Sequence, residues 1–279
     1  MTSVAGGGDD RIVIPYTEPA PNFGGLWWNA PAGSESGWGM SFAHQGDVIF
    51  AAWFTYDLNG KGWWLVMSAP NTGGNTFAGT LFEVTGPPFD AVPFDPTQVT
   101  RTAVGTGTLA FTDADNAVFA YTVNGISQTK AITREVFGPL PSCIFDAQQN
   151  PALATNYQDL WWNAPGESES GWGINLAQEG DTIFATWFTY DHDRMPMWLV
   201  ATATKTMPAT YAGTLYRTTG PPFNAVPFDP AAVVRNAIGN ATFTFANGNS
   251  ATFAYTVNGV SQMKTITRQI FRAPGTVCR

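Results

Sequence analysis

Apolar residues recur at every second position along short stretches of this chain, and turn-forming residues separate the stretches. A period of two puts alternate side chains on opposite faces of an extended strand. In the first half the pattern predicts strands over residues 26–29, 38–45, 48–56, 62–69, 76–85, 106–112, 117–124 and 128–137. All are rich in the β-branched and aromatic residues that fit a pleated surface. The breaks "QGD", "DLNG", "TDADN" and "VNG" are hairpin connectors. The one long connection holds "FDPTQ", where Asp95 caps a single helical turn with Pro96 at its first position. No other segment has helical periodicity.

The pattern then repeats. "LWWNAP" occurs at Leu26 and Leu160, "SESGWG" at Ser34 and Ser168, "TGPPF" at Thr85 and Thr219, and "FAYTVNG" at Phe119 and Phe253, always 134 residues apart. This is tandem duplication of one domain, because solenoid repeats are far shorter. Residues 1–25 form a leader with one strand-like stretch, "RIVIPY". Residues 26–138 are the first repeat, 139–158 the linker, 159–272 the second repeat and 273–279 a tail. Eight strands joined mostly by hairpins predict a meander. An open meander leaves two unpaired edges, which closure removes. The expected fold class is therefore all-β, two tandem eight-stranded up-and-down antiparallel β-barrels, with two β-sandwiches as the alternative. An eight-stranded barrel has an interior filled by side chains or wide enough for one small ligand.

Composition narrows the partners. Hydrophobic residues at 44% support a core in each half, and the aromatic content is too high for a disordered chain. The net charge is −8, with no run of Lys or Arg, which argues against nucleic acid and against an anionic membrane surface. The longest apolar run, residues 48–54, is too short to span a bilayer. The first residues, "MTSVAGGGDDR", lack a signal-peptide pattern and read as a start on a mature exported chain. Cys143 and Cys278 each follow a repeat, and a disulfide between them fits an oxidising compartment. The expected location is secreted, periplasmic or cell-surface. No metal-ligand spacing and no nucleotide-binding glycine pattern occurs, so no metal and no cofactor is expected.

The string "WWNAP…SESGWG…FATWFTYD…TFAYTVNGVSQ" resembles a tandem repeat of exported bacterial proteins of uncharacterised function. The resemblance covers both repeats, implies export and carries no activity. The strand plan also resembles avidin- and lipocalin-type barrels in architecture only, and biotin is not implied.

Comparison of the two copies shows which faces are retained. Gln128, Lys130, Ile132 and Arg134 share one strand face, and Gln262, Lys264, Ile266 and Arg268 repeat it. The opposite face changes from Thr129, Ala131, Thr133 to Met263, Thr265, Thr267. Solvent faces drift more readily than packed ones, so the cations are expected inside or at an interface. Buried cations need partners. Glu35 and Asp95 are the best placed, as a structural ion pair or as a polar pocket wall.

Ten of the eleven Trp form matched pairs, and Trp63 alone has no counterpart. Trp38, Trp53 and Trp64, with Trp172, Trp187 and Trp198, are core residues or platforms for a flat ligand. In "SESGWG" the glycines allow a tight path and the serines bond the local backbone. Glu35 and Glu169 have no local role there and are expected at the barrel mouth. The candidate ligand residues are therefore Glu35, Trp38, Trp53, Trp64, Lys130 and Arg134, with Glu169, Trp172, Trp187, Trp198, Lys264 and Arg268.

Catalysis has little support. "GSESG" has Glu at the position a nucleophile elbow needs for Ser. His44 matches Gln178 and His192 matches Leu58, so no His-dependent site occurs in both repeats. The expected function is non-catalytic binding of a small or carbohydrate-like ligand. The alternatives are a structural or adhesive extracellular assembly protein, with self-association, and a hydrolase or cyclase using the barrel interior.

Overall fold

The computed structural model describes residues 21–279, and the strand-like stretch at residues 11–16 lies outside them. The first barrel contains β1 (Gly25–Asn29), β2 (Gly39–Gln45), β3 (Val48–Tyr56), β4 (Gly62–Gly73), β5 (Thr76–Thr85), β6 (Thr100–Phe111), β7 (Asn116–Val123) and β8 (Ile126–Arg134). After β9 (Cys143–Phe145) the second barrel contains β10 (Asp159–Asn163), β11 (Gly173–Glu179), β12 (Thr182–Tyr190) and β13 (Pro196–Met207). It continues with β14 (Thr210–Thr219), β15 (Val234–Asn247), β16 (Ser250–Val257) and β17 (Val260–Arg268). The short β18 (Thr276–Cys278) pairs with β9, and a Cys143–Cys278 disulfide joins them.

Each sheet is an antiparallel meander in which every strand pairs with its neighbours in sequence. Each closes when its first strand meets its last, with Trp27 opposite Arg134 and Trp161 opposite Arg268. Closure removes the edges that an open meander would leave. The fold is thus two closed barrels and not two sandwiches.

Strand ends differ from the sequence reading where alternation is weak. β6 starts at Thr100 because Thr100 and Arg101 pair with Thr85 and Val84 of β5, although this polar stretch carries no apolar stripe. The single turn at Pro96–Gln98 does form, with the Asp95 carboxylate accepting from the Thr97 N–H.

Both interiors are packed. Phe42, Met67, Leu109, Phe119 and Ile132 fill the middle of the first barrel. At one end Phe23 stacks on Phe111 at 3.7 Å between ring centroids, and Tyr157 stacks on Phe245 at 3.6 Å in the second barrel. His44 Nδ1 accepts from the Phe23 N–H, as Gln178 Oε1 accepts from the Tyr157 N–H. The two unlike residues therefore do one job. Burial pulls the His44 pKa down to about 4, which keeps the ring neutral and able to accept.

The two repeats complete one another. Phe223, from the second "TGPPF", enters the mouth of the first barrel beside Trp53 and Trp63. Phe89, from the first, enters the second barrel beside Trp187 and Tyr255. The Tyr121 hydroxyl donates to the Phe223 carbonyl at 3.1 Å, and the Tyr255 hydroxyl to the Phe89 carbonyl at 2.9 Å. Glycine precedes each Pro-Pro-Phe because the other repeat's tyrosine lies there. A Cβ at Gly86 would sit 2.5 Å from the Tyr190 ring, and one at Gly220 would sit 2.6 Å from Tyr56.

Candidate functional site

Three layers of sites stand out: a charged cluster inside each barrel, an aromatic groove between barrels, and an open barrel mouth. In the first cluster Lys130 Nζ donates to Glu35 Oε2 at 2.7 Å, and Trp38 Nε1 donates to the same oxygen at 2.8 Å. The ammonium also lies 5.1 Å from the Trp38 ring centroid, within cation–π range. Lys264, Glu169 and Trp172 repeat this arrangement, with 2.6 Å and 2.9 Å hydrogen bonds. The side chains of Lys130 and Glu35 are only 9% and 18% exposed. The cations face inward as the retained strand face predicts. Glu35 is the partner of Lys130, while Asp95 serves its own turn.

Arg134 and Arg268 lie elsewhere. Arg134 is 5.0 Å from the Trp27 ring, donates to the Gly24 and Ala114 carbonyls, and pairs with Asp115 at 3.0 Å. Arg268 lies against Trp161 and pairs with the buried Asp159 at 3.1 Å. Both arginines join the first strand of the barrel to loops at its end. Trp53 and Trp187 are enclosed by aromatic rings, and their indole N–H groups are buried without a partner. Such an unmade hydrogen bond costs about 1–3 kcal/mol.

The "SESGWG" block joins these layers. Ser34 accepts from the Asn29 side chain, and Ser36 donates to the Gly33 carbonyl, so the serines hold the turn. Glu35 turns inward to Lys130. Gly37 has φ +128°, and a Cβ there would lie 2.4 Å from a Val233 methyl of the other repeat. Gly171 meets Val99 in the same way. The repeated block is thus a turn, an internal counterion and an inter-repeat contact.

The groove lies at this contact, is open to solvent on one side and has a volume of about 510 Å³. Phe50, Trp64, Val66 and Val99 line it from the first repeat, and Trp162, Trp172 and Phe188 from the second. Arg101, Ser170 and Gln269 supply its polar groups. Trp64 Nε1 is committed to the Thr189 carbonyl at 3.0 Å, and Trp172 Nε1 to Glu169. Both rings are therefore fixed. Trp198 makes the matching bond to the Thr55 carbonyl at 2.9 Å.

Of the twelve candidate residues, Trp64 and Trp172 line the groove. Glu35, Trp38, Trp53, Lys130 and Arg134 are held within the first barrel, Glu169, Trp187, Lys264 and Arg268 within the second, and Trp198 is buried against Phe54 of the first repeat. Sequence reasoning missed Trp162, Arg101 and Phe188 because they meet only when the repeats dock. It also missed the plugging role of Phe89 and Phe223. The faithful repetition of "TGPPF", with "AVPFDP" after it in both copies, was the available signal. No family model, curated protein or solved structure matches the chain.

Proposed function

We propose that the protein is an exported, non-catalytic binding protein whose ligand, small and flat or carbohydrate-like, lies in the groove between the repeats. The observation that carries this reading is the groove itself, with aromatic walls from both repeats and a few polar groups at its margin. Recognition pockets combine mostly apolar walls with a few placed polar groups. Trp162 and Phe50 are the partly exposed rings of the groove, and the buried Trp64 and Trp172, fixed by their own hydrogen bonds, back them, so little ordering cost remains at binding. Arg101, Ser170 and Gln269 offer donors and acceptors to ligand hydroxyls. The disulfide fits an oxidising compartment. Among the described residues no helix is long and apolar enough to cross a membrane. Assembly by strand addition is less well supported, because both barrels are closed and, among the described residues, only β9 and β18 form an open sheet.

The test is saturation-transfer NMR against a panel of cello-, malto- and chito-oligosaccharides and flat aromatic glycosides. At least one class should give signal with the wild-type chain and lose it with Trp162→Ala. A silent panel, or a signal indifferent to Trp162, would remove the reading.

A further inference from the structure

The mouth of the first barrel differs from that of the second, and the difference is chemical. Beside Phe223 a cleft of 330 Å³ opens, lined by Trp63, Glu83, Asp57 and Asn124. Glu83 lies opposite Leu65 on β4, two residues from Trp63 on the same strand face, so both side chains belong to the barrel's inward face at its rim. In the second repeat Met197 stands where Trp63 does, and Arg217 where Glu83 does. There His192 lies over Phe89 at 5.7 Å and contacts Asp90 at 3.1 Å. At the matched position in the first repeat Leu58 is 64% exposed and leaves the mouth open.

The cleft's charge is unbalanced. Lys61 is committed to Asp191 of the other repeat at 2.6 Å. Among the described residues no Lys or Arg forms an ion pair with Glu83 or Asp57. Asp57 accepts only backbone N–H groups, from Asn59 and Lys61. Burial holds the Glu83 carboxyl above its ordinary pKa, the Trp63 indole opposes this, and the Asp57 charge adds to it. A cation placed between the carboxylates would relieve that repulsion, and aromatic faces attract cations that carry little hydration.

We propose that the mouth of the first barrel binds an organic cation, an alkyl- or quaternary-ammonium group held by Glu83 and Asp57 against Trp63 and Phe223. The site belongs to one repeat only and is separate from the groove. An ammonium head fits better than a sugar because, among the described residues, no Lys or Arg ion pair neutralises Glu83 or Asp57, and Trp63 and Phe223 line the same cleft.

Choline chloride is the probe, titrated at pH 8 into the ¹⁵N-labelled full chain with the indole N–H signals observed. Trp63→Met assigns the Trp63 signal. That signal should shift saturably in the wild type. Glu83→Arg, the residue the second repeat carries, should weaken binding at least tenfold, and Trp162→Ala should leave it unchanged. Glu83→Gln, which keeps the shape, should weaken it at least fivefold and stands in if the arginine variant fails to fold. No saturable shift in the wild type would overturn the proposal. So would equal affinity in the Glu83 variants, or an equal shift with calcium chloride or glycerol.

Discussion

Phe223 belongs to one repeat by sequence and to the other by packing, so Phe223→Ala tests whether the barrels are one structure. The ring is only 4% exposed and contacts Trp53, Trp63 and Tyr121 of the first barrel. Its burial is worth about 1.5–3 kcal/mol in transfer alone. The surrounding rings cannot collapse inward, because the barrel wall fixes their backbones, so a cavity term adds to this. Phe→Ala at such sites costs about 3–5 kcal/mol. Urea unfolding, followed by far-ultraviolet circular dichroism and by tryptophan fluorescence, should show a loss of that size for Phe223→Ala. Phe89→Ala should behave alike in the second barrel. Val226→Ala, three residues further along the same loop and 81% exposed, should change stability by less than about 0.5 kcal/mol. A loss below about 1 kcal/mol for both phenylalanines would refute reciprocal plugging and make each repeat independent.

Three further outcomes follow from the interior charges and the clasp. Lys130→Ala leaves the enclosed Glu35 without its cation and should cost about 3 kcal/mol, read as a drop in the urea midpoint, whereas Thr129→Ala on the outer face should barely register. Glu135 is raised to about 7 from an ordinary 4.5 by burial and then by the Glu179 charge. The folded state therefore holds this proton more tightly than the unfolded state, and stability falls as pH rises from about 4.5 to 7. Glu135→Gln, as at the matched Gln269, should raise the melting temperature more at pH 8 than at pH 5; equal gains would exclude this carboxyl. Replacing Cys143 and Cys278 with Ser opens a loop of sequence separation 135. In the chain-entropy model this removes up to about 5 kcal/mol, and an unchanged unfolding midpoint would show that the bond constrains nothing.

Much of the architecture was legible because duplication displayed it twice. Period-two alternation marked the strands, hairpin connectors set a meander, and closure followed from edge avoidance. The retained face of β8 placed Lys130 inward, and scarcity of acids narrowed its partner to Glu35 or Asp95, of which the structure pairs Glu35. The pairing of Arg134 was not legible, since Asp115 lies in a "TDADN" turn that reads as solvent. Nor was the groove, because Trp64 and Trp162 are far apart in sequence and adjacent only once Val99 packs on Gly171. The open mouth was signalled only indirectly. Trp63 was the one unpaired tryptophan, and Glu83 faced an arginine in the other copy. Alternation cannot say whether an inward carboxyl meets a cation or a cleft.

The claim that the ligand lies between the repeats, and not inside a barrel, is tested most directly by calorimetric titration of the strongest ligand from the panel. Three chains suffice: wild type, Trp162→Ala at the groove and Trp187→Phe inside the second barrel. The structure predicts at least tenfold weaker binding for Trp162→Ala, equivalent to about 1.4 kcal/mol, and unchanged binding for Trp187→Phe. Weakening by Trp187→Phe with Trp162→Ala unaffected would place the ligand in the barrel interior and contradict the account.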